Sequence, residues 1–258
     1  MIKDIDFEEY KAAEGVNKSQ LDQINISPKH LQHYLKNPPE PTKAMEFGGI
    51  IHSAILEPDW FYENLVISPD LNKNTKKYKA WALEHEDCEL VLDKKEAEMI
   101  TGMLNAFASH PKASALLNGK VEQSIFVKDP DTGLLCKGRA DILHNEGEAI
   151  IDYKSTKLAS PYGFSKSIVD FRYHVQAAFY LDMFEWEGMG YDRFVFIAQD
   201  KAPPYDVAVY ELDFGSIERG RELYRQNLEL YKKCVDENNW PGYSTEIESI
   251  AIPTWAFF

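Results

Sequence analysis

Asp141, Asp152 and Lys154 are the residues of this chain whose types and spacing could carry out chemistry. They fall in the stretch Leu134 to Thr156, LLCKGRADILHNEGEAIIDYKST, which reads as two β-strands joined by a tight turn at Asn145-Glu146-Gly147-Glu148. Gly147 supplies the positive φ that such a turn favours. With Glu146 and Gly147 as a two-residue loop, counting back along both strands sets Asp141 opposite Asp152. Their Cβ atoms then lie about 5 Å apart on one side of the sheet. Lys154 and Arg139 follow on that side by the two-residue period. Two facing carboxylates repel unless a cation sits between them. Hard oxygen ligands suit Mg²⁺, with Mn²⁺ able to substitute, and a lysine beside the metal can orient or deprotonate a water. The plainer alternative is an exposed Asp–Lys ion pair on an antiparallel sheet. Against it, Ala149-Ile150-Ile151 runs apolar without alternation, as on a buried strand, and the charges occur only at its C-terminal end.

The elements that must position these residues come next. Residues 1–14 are acidic and aperiodic, which predicts a loosely ordered lead-in. A mainly helical part follows over 15–118. It opens with a short helix over Ser19–Ile24 and a second from Ser27 to Lys36, with Ser27 as N-cap, Pro28 at the first position and Asn37-Pro38-Pro39 as the stop. Met45–Leu56 is an apolar helix weakened by Gly48 and Gly49, at about 1 kcal/mol each, as if to permit close backbone approach. His52 sits there among isoleucines, and on spacing alone reads as a satisfied core histidine. Lys76–Glu86 is helical, with Tyr78 and Trp81 read as packing rather than base stacking. Asp93 caps a helix to Ser109, with Glu96 completing a capping box.

The α/β core is expected over 119–240. Val121–Val127 opens the sheet and carries Glu122, either a further acid near the metal or a surface glutamate on an edge strand. Arg172–Trp186 is a helix in which Gln176 and Tyr180 share one face. Phe194–Ala198 and Val207–Leu212 are two more strands, and a long helix runs from Ser216 to Asn238. In the tail, 241–258, Trp255, Phe257 and Phe258 need burial, for which a neighbouring subunit is one cover. The fold class is therefore α/β: a central mixed β-sheet flanked by helices, with an N-terminal helical subregion, in a single domain over 1–258.

Composition bounds the function classes. No run approaches the roughly 18 apolar residues of a membrane span, and the acidic N-terminus does not read as a signal peptide. Three scattered cysteines, Cys88, Cys136 and Cys234, argue for a reducing cytoplasm without structural disulfides. The net charge of −14 opposes nucleic acid at long range, so phosphate binding needs a local basic groove. Lys73, Lys76, Lys77 and Lys79 offer one, unless they are a solvated helix start; Arg139, Lys154, Lys157, Lys166 and Arg172 offer another around the acids.

Asp141 followed by Asp152-Tyr153-Lys154 at the end of an apolar strand resembles the D…(D/E)-x-K signature of the PD-(D/E)XK nucleases. Gly15-Val16-Asn17-Lys18-Ser19 through Ile26-Ser27-Pro28, Ala44-Met45-Glu46-Phe47-Gly48 with His52, Leu56-Glu57-Pro58, and Glu122-Gln123-Ser124-Ile125 resemble the RecE-type exonucleases (exodeoxyribonuclease VIII nuclease domain) within the RecB-like group. The likeness spans roughly residues 14 to 240, without the long N-terminal extension of the type member.

The resemblance implies Mg²⁺ held by Asp141 and Asp152, with His52, the Tyr153 carbonyl and, on one reading, Glu122 as further ligands. It implies Lys154, Asp141 and Asp152 as catalytic residues, and Gln176 and Tyr180 as a Q-x-x-x-Y pair that helps bind DNA. Arg139, Lys157 and Arg172 are the accompanying DNA-binding candidates. Some RecB-like nucleases hold an iron–sulfur cluster on four cysteines, and this chain has three. The implied substrate is linear double-stranded DNA, degraded 5′ to 3′ to leave 3′ strands for a recombination annealing protein, by a homo-oligomeric ring. The alternatives are a non-catalytic DNA-binding or assembly module, and a restriction- or repair-type endonuclease on the same fold.

Overall fold

The structure, a computed structural model, describes residues 1–144, 149–253 and 256. Strand β1 (Ile2–Lys3) leads into helix α1 (Phe7–Ala12), then α2 (Lys18–Ile26), α3 (Pro28–Lys36), α4 (Lys43–Leu56) and α5 (Pro58–Asn64). Strand β2 (Leu65–Ile67), α6 (Lys76–Glu84), β3 (Leu90–Leu92), α7 (Lys94–Ala108) and α8 (Pro111–Ala115) complete the helical part. The sheet region runs β4 (Gly119–Lys128), β5 (Leu135–His144), β6 (Ala149–Thr156), α9 (Pro161–Asp170), α10 (Tyr173–Trp186), β7 (Arg193–Asp200), β8 (Val207–Glu211) and α11 (Phe214–Glu237).

Caps read from the sequence set several boundaries. Ser27 caps α3 through the His30 amide with Pro28 in its first turn, and Asp93 and Glu96 form the capping box of α7. Helix α2 begins at Lys18, one residue before Ser19, because the Asn17 side chain caps it by accepting from the Gln20 amide. Among the described residues, the main sheet has six strands in the order β1-β4-β5-β6-β7-β8. Only β6 and β7 run parallel within it, as the α9–α10 crossover between them requires. A separate parallel pair, β2 with β3, lies among the helices.

The sheet separates two apolar clusters. On one face Phe179, Phe184 and Val175 of α10 pack with Tyr224 and Leu228 of α11 and Leu21 of α2. On the other, Ile51 of α4 and Met103 and Phe107 of α7 meet Ile142, Ile151 and Tyr153. This two-sided burial explains why Ala149-Ile150-Ile151 lacks alternation. The fold is the mixed sheet flanked by helices that the sequence predicts.

Three expectations need correction or restriction. The first fourteen residues are not a loose lead-in. Strand β1 pairs with β4 at Ile2↔Ile125 and Lys3↔Ser124, and the buried Lys137 ammonium donates to the carbonyls of Tyr10, Lys11 and Ala13 at 3.0, 3.1 and 2.6 Å. By the same pairing β4 is an interior strand, so Glu122 is not a surface residue on an edge. The turn at Asn145–Glu148 and the apolar side chains of Trp255, Phe257 and Phe258 lie outside the described residues. Within the described tail, Ile247, Ile250 and Ile252 are exposed.

Candidate metal centre and active site

The β5–β6 ladder pairs Ile142 with Ile151 and Leu143 with Ile150 and then stops. That register puts Asp141 opposite Asp152. On the other side of β5, the pairs Val121↔Ile142 and Gln123↔Ala140 leave Glu122 facing Asp141 with no pairing between them. Glu122, Asp141 and Asp152 thus stand in line across three adjacent strands, each where the ladder is open. Glu122 has φ of 53°, a left-handed conformation that costs a residue with a Cβ about 1–2 kcal/mol. Asp141 Oδ2 accepts from the Tyr153 amide at 2.8 Å, so a carboxylate replaces the missing backbone acceptor. A strand residue's N–H and C=O point the same way, so the Tyr153 carbonyl faces this gap too.

His52, one turn beyond Gly48 and Gly49 on α4, closes the site from above the sheet. Its Nε2 lies 2.9 Å from Asp141 Oδ2 and its Nδ1 3.2 Å from Glu122 Oε1. The surrounding isoleucines do not make it a core residue; both ring nitrogens face carboxylates. His52, Glu122 and Asp141 each present a ligand atom, all within 4.8 Å of one another. The expected ligand Asp152 is not one of this group. Its Oδ1 pairs with Lys154 Nζ at 2.5 Å and its Oδ2 accepts from Gln176 Nε2 at 2.6 Å. Oδ1 is buried and accepts no hydrogen bond beyond that ion pair. One imidazole, two clustered carboxylates and a buried under-used carboxylate oxygen on the next strand fit a hard divalent cation.

The electrostatics record the same crowding. Burial pushes the Glu122 carboxyl up, and Asp141 adds to the shift. Burial likewise raises Asp152, to about 6, against the opposing Lys154 charge. For Asp141, burial acts upward but His52, Lys154 and the Tyr153 amide outweigh it, holding the carboxyl below its ordinary range. Burial lowers His52, yet Asp141 and Glu122 more than compensate and raise it to about 9. Lys154 is pushed down by burial and up, by more, by Asp152 and Asp141. Without a metal, His52, Lys154 and Arg139 are cations that keep these carboxylates together.

The other expected site residues divide. Gln176 holds Asp152, and the Tyr180 hydroxyl accepts from the Arg139 amide at 3.3 Å, so both abut the acids. The Arg139 guanidinium is spent inside the protein: it pairs with Glu122 and donates to the Ile5 carbonyl at 2.6 Å and Ser124 Oγ at 3.0 Å. Arg172 caps α10 and bonds Asp22 Oδ1 at 3.0 Å. Lys157 and Lys166 are exposed, as is the Lys73–Lys79 cluster. Sequence reasoning assigned no role to Lys18, whose ammonium lies 5.9 Å from the Tyr173 ring centre while that of Lys154 lies 5.0 Å from it. Its one signal was its place in the Gly15–Ser19 segment. A cleft of about 810 Å³ opens beside the acids, lined among others by Phe7, Tyr10, His52, Trp60, Asp141 and Tyr180.

A solved structure shares this fold. A crystal structure described as a "putative exonuclease" from Eubacterium rectale superposes with a TM-score of 0.68, covering 99% of this chain and 98% of that one at 12% identity. A second structure, SSO0001, is 16% identical over 76% of this chain and 88% of its own, with a TM-score of 0.32. No curated protein matches the sequence. Residues 17–253 match the family described as "PDDEXK-like domain of unknown function (DUF3799)". The chain, with its acids on adjacent strands and Asp152-Tyr153-Lys154 at the end of β6, belongs to that PDDEXK-like family.

Proposed function

We propose that the protein is a metal-dependent deoxyribonuclease that hydrolyses phosphodiester bonds at the ends of linear double-stranded DNA. The observation that carries this reading is the line of Glu122, Asp141 and Asp152 across three strands, faced by His52 and flanked by Lys154. Such a cluster is costly in a fold and has value at a site that binds cations. His52, Glu122 and Asp141 would hold the ion, with Asp152 and the Tyr153 carbonyl next to it. A bound Mg²⁺ or Mn²⁺ would supply Lewis-acid stabilisation of charge on the scissile phosphate and lower the pKa of water. Lys154, kept cationic by Asp152 and Asp141, would orient the attacking water and face the phosphate. Gln176 fixes the Asp152 carboxylate, and Tyr180 braces β5 at Arg139.

The finer reading follows the RecE-type resemblance together with the exonuclease name of the Eubacterium rectale protein. It is 5′ to 3′ degradation of duplex ends, Mg²⁺ as the working ion, 3′ strands passed to an annealing protein, and a homo-oligomeric ring in the cytoplasm. End-labelled linear duplex and closed circular DNA, incubated with Mg²⁺ or Mn²⁺ and with chelator, test it. Release of label from one end of linear DNA, none from circles and none with chelator, is expected. Linearisation of circles would make the protein an endonuclease. No cleavage with any divalent ion would leave a DNA-binding module.

A further inference from the structure

Away from the metal cluster itself, the walls of the adjoining cleft suit no phosphate. Asp6, Glu8, Glu57 and Glu89 line it together with Glu122 and Asp141. Its basic side chains, His52 and Arg139, already pair with the clustered acids. Between the carboxylates stand aromatic rings with free faces: Phe7 of α1 is 58% exposed and Trp60 of α5 is 38% exposed. Phe7 leans on Tyr10, ring centres 6.5 Å apart, and Tyr10 on Phe126 at 6.2 Å, so the ring is braced although its helix buries no residue.

Gly49 adds an independent observation. It lies inside α4 and lines the cleft, where glycine weakens a helix. A Cβ built on it meets nothing within 4 Å. No close backbone approach among the described residues accounts for this glycine; the room it leaves belongs to the cleft.

We infer that this cleft is a nucleobase-binding subsite, in which Phe7 and Trp60 offer stacking faces and Gly49 leaves space for an unpaired nucleotide next to the scissile phosphate. The inference rests on the nuclease reading and specifies how that site meets its substrate. Bases present a π-face without charge, so an acidic aromatic wall accepts them where it would repel the backbone. The phosphates would run beside Tyr173, where the Lys154 and Lys18 ammoniums lie 5.0 and 5.9 Å from the ring centre, each balanced by one aspartate, Asp152 and Asp22. About 810 Å³ of space is within the roughly 300–1,000 Å³ that encloses a small ligand and too little for a duplex. A duplex end would have to fray before its terminal nucleotides enter.

The test compares a fluorescent single-stranded oligonucleotide with the same strand carrying abasic residues at its end. Affinities are measured by anisotropy in Ca²⁺ for the full chain and for Phe7→Ala, Trp60→Ala, Trp60→Phe and Gly49→Leu. The wild type is expected to prefer the intact strand by about 5- to 160-fold, the scale of stacking on one aromatic. Trp60→Ala and Phe7→Ala should erase most of that preference and Trp60→Phe should keep it. Gly49→Leu should weaken binding while leaving the melting temperature unchanged or higher, since leucine is the better helix former. Equal affinity of the wild type for both strands, or variants that all bind as the wild type does, would overturn the subsite. So would tight binding of a polylysine peptide in the cleft with no affinity for the strand. Cleavage of the same oligonucleotides in Mn²⁺ is scored separately. Base-dependent binding without cleavage supports the subsite and refutes the nuclease; cleavage indifferent to abasic residues and to these variants does the reverse.

Discussion

If His52 is a metal ligand, metal binding must expel a proton, because an imidazole coordinates only through an unprotonated nitrogen. In the metal-free protein both ring nitrogens face carboxylates, at 2.9 and 3.2 Å, and the ring holds its proton up to about pH 9. Below that value, affinity for Mn²⁺ should rise with pH at one proton per ion. Between pH 7 and 9 the unprotonated fraction of His52 grows from about 1% to about half, so affinity should increase by about 50-fold. Asp152, which titrates at about 6, is ionised across this window and adds little to the slope. The same proton links to stability with a defined sign. His52 has a folded pKa above its unfolded value, so its contribution is complete below about pH 6.5 and is lost as pH climbs through about 9. The metal-free protein should therefore lose about 2 kcal/mol between pH 7 and 9, and saturating Mn²⁺ should cancel that loss. Calorimetric titration with Mn²⁺ in buffers of different ionisation enthalpy counts the protons directly. About one proton released per ion at pH 7.5 is expected, and His52→Gln should lower affinity and flatten the pH dependence. A wild type that releases no proton, or a His52→Gln protein with an unchanged slope, would refute the role of His52.

Asp141→Ala should abolish divalent-dependent cleavage and also cost about 1–3 kcal/mol, because it leaves the Tyr153 amide without an acceptor; Asp141→Asn should recover part of the stability and none of the activity, read by denaturant melts beside nuclease assays. Asp152→Ala should likewise abolish cleavage, and more than a few per cent of residual activity in the folded variant would count against its role. Lys154→Arg and Lys154→Ala should still bind DNA in Ca²⁺ but cleave at least ~100-fold more slowly, since a planar guanidinium cannot take the place of an ammonium wedged between Asp152 and the Tyr173 ring; cleavage near the wild-type rate by the arginine variant would show that charge alone suffices. Arg139→Ala should act on stability more than on DNA affinity, because its guanidinium is committed to Glu122, Ile5 and Ser124, as paired melting and binding curves would show.

The register that sets Asp141 opposite Asp152 was legible in the sequence, because it needs only a short span between two strands and a count back along both; that the two side chains take different partners, His52 and Gln176, was not. The caps at Ser27 and Asp93 were legible for a similar reason: they are local. Glu122 could not be resolved that way. Its position opposite Asp141 is fixed by the loop between β4 and β5 and by a left-handed backbone that no propensity announces for glutamate. Whether β4 was an edge strand depended on β1, two residues more than a hundred positions away. The same holds for Arg139, whose sequence neighbours suggested a basic groove while its actual partners, Ile5 and Glu122, are remote. His52 is the sharpest case: helical spacing among isoleucines argues for the core, the family resemblance argues for a metal ligand, and the strands beneath it supply the two carboxylates.

The Lys137 ammonium has a consequence for how the cleft moves. Helix α1 has six residues and buries none of them, which by itself describes a segment that frays in microseconds and exchanges its amides freely. Yet lifting α1 would strip the acceptors from a cation that is 4% exposed on an interior strand. Opening this wall therefore gives up three hydrogen bonds to a charged group, about 1.5–3 kcal/mol each, rather than the near-zero of a loose end. Amide exchange at the end of α1 should be slow in spite of its exposed surface, and deletion of the first 13 residues should be felt in the melting of the sheet. A wall held in this way is preformed, and a strand entering the cleft would meet its final shape without waiting for a lid to close.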